Sequence, residues 1–287
     1  MFKNIPIPPS FSIIEKGKTF LLLKDEYKDL LLQQGIADLE TFFRRHRDAT
    51  RYLMGRSLHP SIPIKNGERM IVRRYSHGGL FGLFTRNLYL FGSRSFRELA
   101  LTEEMRSSGI PTIELIGAIH RLTLFPFYHP YLFSLEVPCA LNLVQYFHEI
   151  GPSPSPDNLY KKRKMIRSAG ILLRQFHETG FFHGDLQLKN MMIAREQLLL
   201  IDFDRSYRRP VLSLREKMKN LLRLNRSVEK WRLAKLPITR TDRWRFFLSY
   251  VGNDIRMKTA MRRVVRTYPI RHLFYRIGWG LQKLVPN

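Results

Sequence analysis

The residues with the clearest chemical potential lie in Phe182-His183-Gly184-Asp185-Leu186-Gln187-Leu188-Lys189-Asn190, with Leu200-Ile201-Asp202-Phe203-Asp204 following closely. A group that moves phosphate onto an alcohol must orient the acceptor hydroxyl, hold a divalent cation on the phosphates and neutralise charge as the phosphoryl leaves. Asp185 is a carboxylate able to accept the hydroxyl proton, whereas Asn190 and Asp202 offer the hard oxygen donors that Mg²⁺ prefers. His183 alone reads as a structural, hydrogen-bonded histidine, and His177 as a support for the same loop. The pattern carries more weight than its parts: a helix, a glycine, a His-x-Asp loop and a strand ending in Asp-Phe.

Those residues need elements to hold them. Phe11–Ile14 and Thr19–Leu23 flank Lys16-Gly17-Lys18 as a short hairpin. Asp25–His46 reads as helical with a break at Gly35, and Arg51–Leu58 and Arg69–Tyr75 as strands, with the Asn66-Gly67 turn before the second. Ser95–Ser108 fits a helix closed by Gly109 and Pro111, and Tyr131–Val137 a strand leaving its sheet at Pro138. Gly151–Asp157 has the composition of a surface loop. After it, Ile166, Ala169, Leu173 and Phe176 mark one face of a helix over Leu159–Thr179, which Gly180 caps. Phe181–Ile193 then reads as a loop entering a short strand, and Gln197–Phe203 as a second strand. Strands followed by helices predict an α+β chain with a small mixed-sheet lobe over residues 1–137 and a larger, mainly helical lobe over 138–287.

The 287 residues carry a net charge of +25 and one cysteine, Cys139, so no intramolecular disulfide is available. From Arg205 onward 22 Lys and Arg stand against four acids, an excess of 18 positive charges. That surface suits polyanions: nucleic acid, anionic lipid headgroups or a phosphorylated, carboxylated glycan. Prolines among Ile5-Pro6-Ile7-Pro8-Pro9 interrupt the place of an export signal, and no apolar run is long enough to span a membrane, so a cytoplasmic location is expected. Beyond Pro269, Ile270, Leu273, Phe274, Ile277, Leu281 and Leu284 fall on one helical face flanked by Arg271, Arg276 and Lys283, which fits either packing on the helical lobe or docking in a membrane interface near Trp279.

His183–Asn190 resembles the protein-kinase catalytic loop H-R-D-x-x-x-x-N with Gly184 in place of Arg, and Asp202-Phe203-Asp204 resembles D-F-G with Asp in place of Gly. With Arg73-Arg74-Tyr75-Ser76-His77-Gly78-Gly79, the Asp-Phe-Asp-Arg run is similar to the bacterial lipopolysaccharide core kinases, the Kdo and heptose kinases, over about Arg51 to Arg205. The resemblance implies a bilobal protein-kinase-like fold, ATP and Mg²⁺ as cofactors, and a hydroxyl of an inner-core sugar, Kdo on a lipid A precursor, as acceptor. It implies Asp185 as base, Asn190 and Asp202 as metal ligands, Arg73 on the ATP phosphates with Glu98 as its helix partner, and a hinge over Glu136–Cys139 that meets adenine. Arg74 competes with Arg73, because Met70, Val72 and Arg74 alternate with Ile71 and Arg73 along the strand. Gly55-Arg56-Ser57 would cover the phosphates with a single glycine. The basic surface, beginning with Arg205, Arg208 and Arg209, would meet the sugar carboxylate, lipid A phosphates and the inner face of the bacterial inner membrane. A soluble alcohol or protein acceptor, and a nucleic-acid-binding module on a degenerate kinase scaffold, are the alternatives; no RNA-binding signature supports the last.

Overall fold

The computed structural model describes residues 2, 5–54, 58–65, 67–75 and 88–261. The expected phosphate-covering Gly55-Arg56-Ser57, Asn66 of the turn, the Ser76–Gly79 run and the apolar stripe from Ile270 to Leu284 lie outside them. The chain divides into two compact units, Met1–Cys139 with Leu199–Ser206, and Ala140–Leu198 with Tyr207–Asn287.

The first unit is built on an antiparallel sheet. Its strands are β1 (Phe11–Lys16), β2 (Thr19–Lys24), β3 (Arg51–Met54), β4 (Leu58–Pro63), β5 (Arg69–Arg74), β6 (Tyr89–Leu90), β7 (Leu115–Leu122) and β8 (Phe127–Leu135). They run in the order β1-β2-β7-β8-β5-β4-β3, and β6 also pairs with β8. Helices α1 (Asp25–Gln33) and α2 (Leu39–Arg45) cover one face, and α3 (Arg94–Ser107) the other. Alternation along each strand feeds both cores. Leu21, Leu23, Val72, Ile119 and Phe133 pack with Tyr27, Leu31 and Phe42, while Leu22, Ala118 and Leu132 pack with Phe96 and Leu99. Burial on both faces explains the uninterrupted Leu21-Leu22-Leu23 run.

The helical break expected at Gly35 falls between α1 and α2, where Gly35 takes φ +86. Arg51–Leu58 is not one strand: Leu58 opens β4 and pairs back on Met54. The strand expected over Tyr131–Val137 runs from Phe127 to Leu135, starting earlier and ending sooner, and β7, its partner, was not foreseen. Gln197–Phe203 is strand only to Leu200 (β12, Gln197–Leu200), because Asp202 adopts φ +65, a left-handed conformation that ends extended pairing.

The second unit holds β9 (Leu141–Asn142), α4 (Leu143–Ile150), α5 (Pro156–Glu178), β10 (Phe181–Phe182), β11 (Met191–Ala194), β13 (Tyr207–Arg208), α6 (Leu214–Leu233) and α7 (Arg240–Val251). Helix α5 starts at Pro156, inside the expected loop, because Ser155 caps it and proline is at home in a first helical turn. It buries Ile166, Ala169, Leu173 and Phe176, the face legible in the sequence. Gly170 lets α7 come close: a Cβ there would stand 2.6 Å from the Phe246 carbonyl and 2.8 Å from the Ser249 Cβ. Lys162 and Asp242 join the same two helices in a buried ion pair of 2.7 Å. Gly170→Ala should therefore cost about 1–3 kcal/mol through overpacking, read as a lower denaturant midpoint. An unchanged midpoint would mean that α7 yields without loss. Among the described residues, no helix is long and apolar enough to cross a membrane.

Candidate active site

Strand alternation separates the two arginines that the sequence left open. Met70 and Val72 point into the core under α1 and α2, so Arg73 points the other way, toward α3. There Glu98, 3% exposed, accepts a fork from Arg73: Nη1 to Oε1 at 2.9 Å and Nη2 to Oε2 at 3.0 Å. Arg74 instead lies over the Tyr131 ring at 5.5 Å. Arg73 also reaches Asp202, Nη2 to Oδ1 at 3.0 Å. Glu98 accepts two further bonds, from the Phe203 backbone N–H at 3.2 Å and from the Tyr75 hydroxyl.

One guanidinium thus ties the strand, the helix and the Asp202 loop together. Burial pushes the Glu98 carboxyl above its ordinary range against the pull of Arg73. Burial also opposes the charge on Arg73, but Glu98 and Asp202 hold its proton more tightly than usual. The left-handed Asp202 costs about 1–2 kcal/mol in intrinsic backbone energy, held in place by the Arg73 and Phe203 contacts. Asp204, at the third position of the loop, takes a second fork from Arg94 at the start of α3: Nε to Oδ1 at 2.6 Å and Nη2 to Oδ2 at 2.5 Å. His59 on β4 lies within reach of the same charges; burial and then Arg73 lower its pKa.

Glu136, expected from the sequence to open a hinge, follows β8. Its backbone N–H donates to the Arg69 carbonyl at 2.8 Å and its carboxylate accepts from Ser61 and faces Arg69.

In the second unit, α6 organises the loop that carries Asp185. Asn220, fully buried, clamps the His183 backbone with two bonds, accepting from its N–H at 3.0 Å and donating to its carbonyl at 2.8 Å. One turn later Arg223 stands 3.2 Å from Asp185 Oδ1 and donates to the Gly184 carbonyl. One turn further, Ser227 accepts from the Leu188 N–H at 3.2 Å. Asp185 also accepts from the Gln187 side chain, while its own N–H donates to His183 Nδ1 at 3.0 Å. Asn190 donates from Nδ2 to the Asp185 carbonyl at 2.8 Å, which turns its Oδ1 away from that bond.

His183 is therefore a brace for the loop, as its type suggested. His177 supports it from behind, between the Tyr250 hydroxyl at 2.7 Å and Asn220 Oδ1 at 3.1 Å. Asn220, Arg223, Ser227 and Gln187 escaped the sequence reading, although the first three, spaced three and four apart on α6, mark one helical face. Of the three arginines expected to begin an anion surface, Arg208 donates to the Thr179 carbonyl at 3.1 Å and Arg209 faces Glu216 at 3.4 Å.

Burial holds His177 at a pKa of about 4, against 6.5 for a free imidazole. The unfolded chain then binds the proton first, so stability is complete above pH 6.5 and is lost as pH falls toward 4. His120, buried against Tyr128 in the first unit, is lowered to about 4 as well and adds to the same loss. Denaturant unfolding at pH 7 and pH 5 should show this slope, and His177→Gln should reduce it. An equal slope in the variant would contradict the assignment.

Comparison with known proteins bears on this arrangement. The model of the lipopolysaccharide kinase (Kdo/WaaP) family matches residues 44–250, a span holding both the Arg73–Glu98–Asp202 cluster and the Asp185 loop. The chain belongs to that family. The 3-deoxy-D-manno-octulosonic acid kinase of Vibrio cholerae serotype O1 is 34% identical over 165 residues, 55% of this chain and 65% of that protein. The enzyme of the same name from Vibrio vulnificus is 32% identical, covering 57% of this chain and 66% of that one. The chain thus spans just under two thirds of the length of these two relatives. The counterpart from Pasteurella multocida is 27% identical over 74% of this chain and 87% of its own. Among solved structures, WaaP in complex with acyl carrier protein shares the fold, with a TM-score of 0.56, 16% identity, and coverage of 90% of this chain and 97% of that one. The α+β, protein-kinase-like fold class expected from the sequence is the one found.

Proposed function

We propose that this protein is an ATP-dependent carbohydrate kinase that phosphorylates a hydroxyl of a lipopolysaccharide inner-core sugar, Kdo on a lipid A precursor. The observation that carries the reading is the Asp185 loop: a carboxylate held from both sides by Arg223 and Gln187, five positions before an asparagine, in a chain similar to Kdo kinases over more than half its length. Asp185 accepts the proton of the acceptor hydroxyl as its oxygen bonds to the γ-phosphorus and the bond to the departing ADP oxygen breaks. Arg73 meets the ATP phosphates, with Glu98 fixing its fork. The Glu136 carbonyl, its N–H being spent on Arg69, is the group offered to adenine.

The donor types suit Mg²⁺, a part-exposed carboxylate from Asp202 in the first unit and an amide oxygen from Asn190 in the second. Bound there, the ion would neutralise charge on the phosphates. A substrate in the inner membrane would place the protein at its cytoplasmic face, an assignment supported by the excess of positive charge after Arg205.

Acceptor choice is tested by radiolabelled transfer from ATP to Kdo-bearing lipid A, heptose-bearing core and free Kdo side by side. The account expects the first to be the best acceptor. Preference for the heptosylated core would move the assignment to a heptose kinase, and preference for a soluble alcohol would overturn the lipopolysaccharide reading.

A further inference from the structure

One end of the sheet in the first unit combines two features that the phosphate chemistry leaves unused. The β7–β8 connection is a tight turn, with Phe127 N–H on the Leu124 carbonyl at 2.7 Å and Thr123 N–H on the Phe127 carbonyl at 3.1 Å. Its tip bears Leu124 and Phe125, 74% and 71% exposed. Beside it β6 pairs Leu90 with Phe127, and Phe91 N–H donates to the Pro126 carbonyl at 3.3 Å. Leu90 and Phe91 are 57% and 69% exposed. Single exposed apolar residues are ordinary on soluble proteins, but four large ones on two hydrogen-bonded segments form a patch that asks for a partner.

The second feature is charge. Next to the turn, Lys18, Arg74, Arg121 and His129 line an open cavity of about 490 Å³ together with Leu122, Thr123 and Tyr131. These side chains come from four places in the fold, the β1–β2 turn, β5, β7 and β8, the first three of them cationic. The register binds them to the tip, since Leu122 N–H donates to the Lys18 carbonyl at 2.8 Å and Arg121 lies opposite His129. Among the described residues, no carboxylate lines the cavity. Among the described residues, none stands at ion-pair distance from Lys18, Arg74 or Arg121, while Lys24, Arg69, Arg73, Arg94 and Arg106 of the same unit all have acidic partners. Asp38, which feels Arg121, is engaged in capping α2.

We propose that this end of the sheet is a membrane-docking surface. Leu90, Phe91, Leu124 and Phe125 enter the interfacial region, and Lys18, Arg74 and Arg121 bind the phosphates of an anionic bilayer. Charge complementarity selects this occupant: an apolar turn beside a cavity lined by Lys18, Arg74 and Arg121 matches acyl chains beneath anionic headgroups, the pairing of groups on which interfacial binding depends. The inference deepens the membrane assignment above and locates it on strands, apart from the cations of the last third of the chain.

Vesicle co-sedimentation of the full chain without ATP tests it independently of kinase activity. The probes are phosphatidylcholine vesicles with and without phosphatidylglycerol. Wild-type protein should bind the anionic vesicles; Leu124→Ser/Phe125→Ser and Lys18→Glu/Arg121→Glu should each weaken that binding at least about tenfold. The charge pair should also flatten its salt dependence. Arg44→Glu/Arg45→Glu, a double change of equal charge at exposed positions of α2, should bind like wild type, and equal melting temperatures would exclude misfolding as the cause. Absence of wild-type binding would overturn the proposal. Undiminished binding by both double variants would also do so, leaving the tip to a protein partner.

Discussion

Asp185→Asn should lower phosphoryl transfer by about 10²–10⁴-fold, the usual contribution of a positioned general base, while leaving nucleotide affinity near the wild-type value. The reason lies in what the amide keeps and what it loses. The single amide oxygen keeps the contact with Arg223, and the 185 N–H still meets His183, but the bond from Gln187 is lost and the side chain can no longer take the hydroxyl proton. Single-turnover transfer and calorimetric titration with ATP read the two quantities separately. Turnover retained within a few fold would remove Asp185 from the chemistry, whereas loss of nucleotide binding as well would point to a collapsed loop. Arg223→Ala offers a graded companion: it frees one carboxylate oxygen and the Gly184 carbonyl, and should reduce transfer less than Asp185→Asn does.

Arg73→Met should act on stability and ATP binding together. The substitution keeps a long apolar stem but leaves Glu98, 3% exposed, with its charge uncompensated. Removing one partner of a buried ion pair costs about 3–5 kcal/mol. The Tyr75 hydroxyl and the Phe203 N–H still satisfy the carboxylate, so the lower end of that range is expected. Glu98→Gln added to Arg73→Met should recover part of the stability, because no uncompensated charge then remains. It should not recover ATP affinity, which the proposed role assigns to the guanidinium. Equal affinity in Arg73→Met would transfer the phosphate contact to another cation, and Arg74 is a poor substitute from the opposite strand face.

Much of this arrangement could be read before any coordinates. Gly35, Gly180 and the Ile166–Phe176 stripe are local signals, and local periodicity or a left-handed glycine is enough to place them. The spacing of Asp185 and Asn190, and their tie through the Asp185 carbonyl, are likewise written within one short segment. Choosing Arg73 over Arg74 needed the third dimension, because alternation divides the faces but cannot say which one α3 covers. The Arg94–Asp204 fork joins positions 110 apart and has no periodic trace at all. Asn220, Arg223 and Ser227 hold mainly backbone groups of the loop, and a backbone partner, donor or acceptor, leaves no mark on sequence. Strand β7 was missed for another reason: its Leu115–Ile119 run is buried on both faces, so it lacks the alternation that would reveal a half-exposed strand.

Mass spectrometry of a Kdo-bearing lipid A precursor incubated with the purified protein, Mg²⁺ and ATP tests the central claim most directly. The account predicts a gain of one phosphate on the acceptor, absent with Asp202→Ala and absent without the metal. No gain in the wild-type reaction, with ATP still bound, would contradict Kdo as the acceptor; a gain that persists in Asp202→Ala would contradict the site.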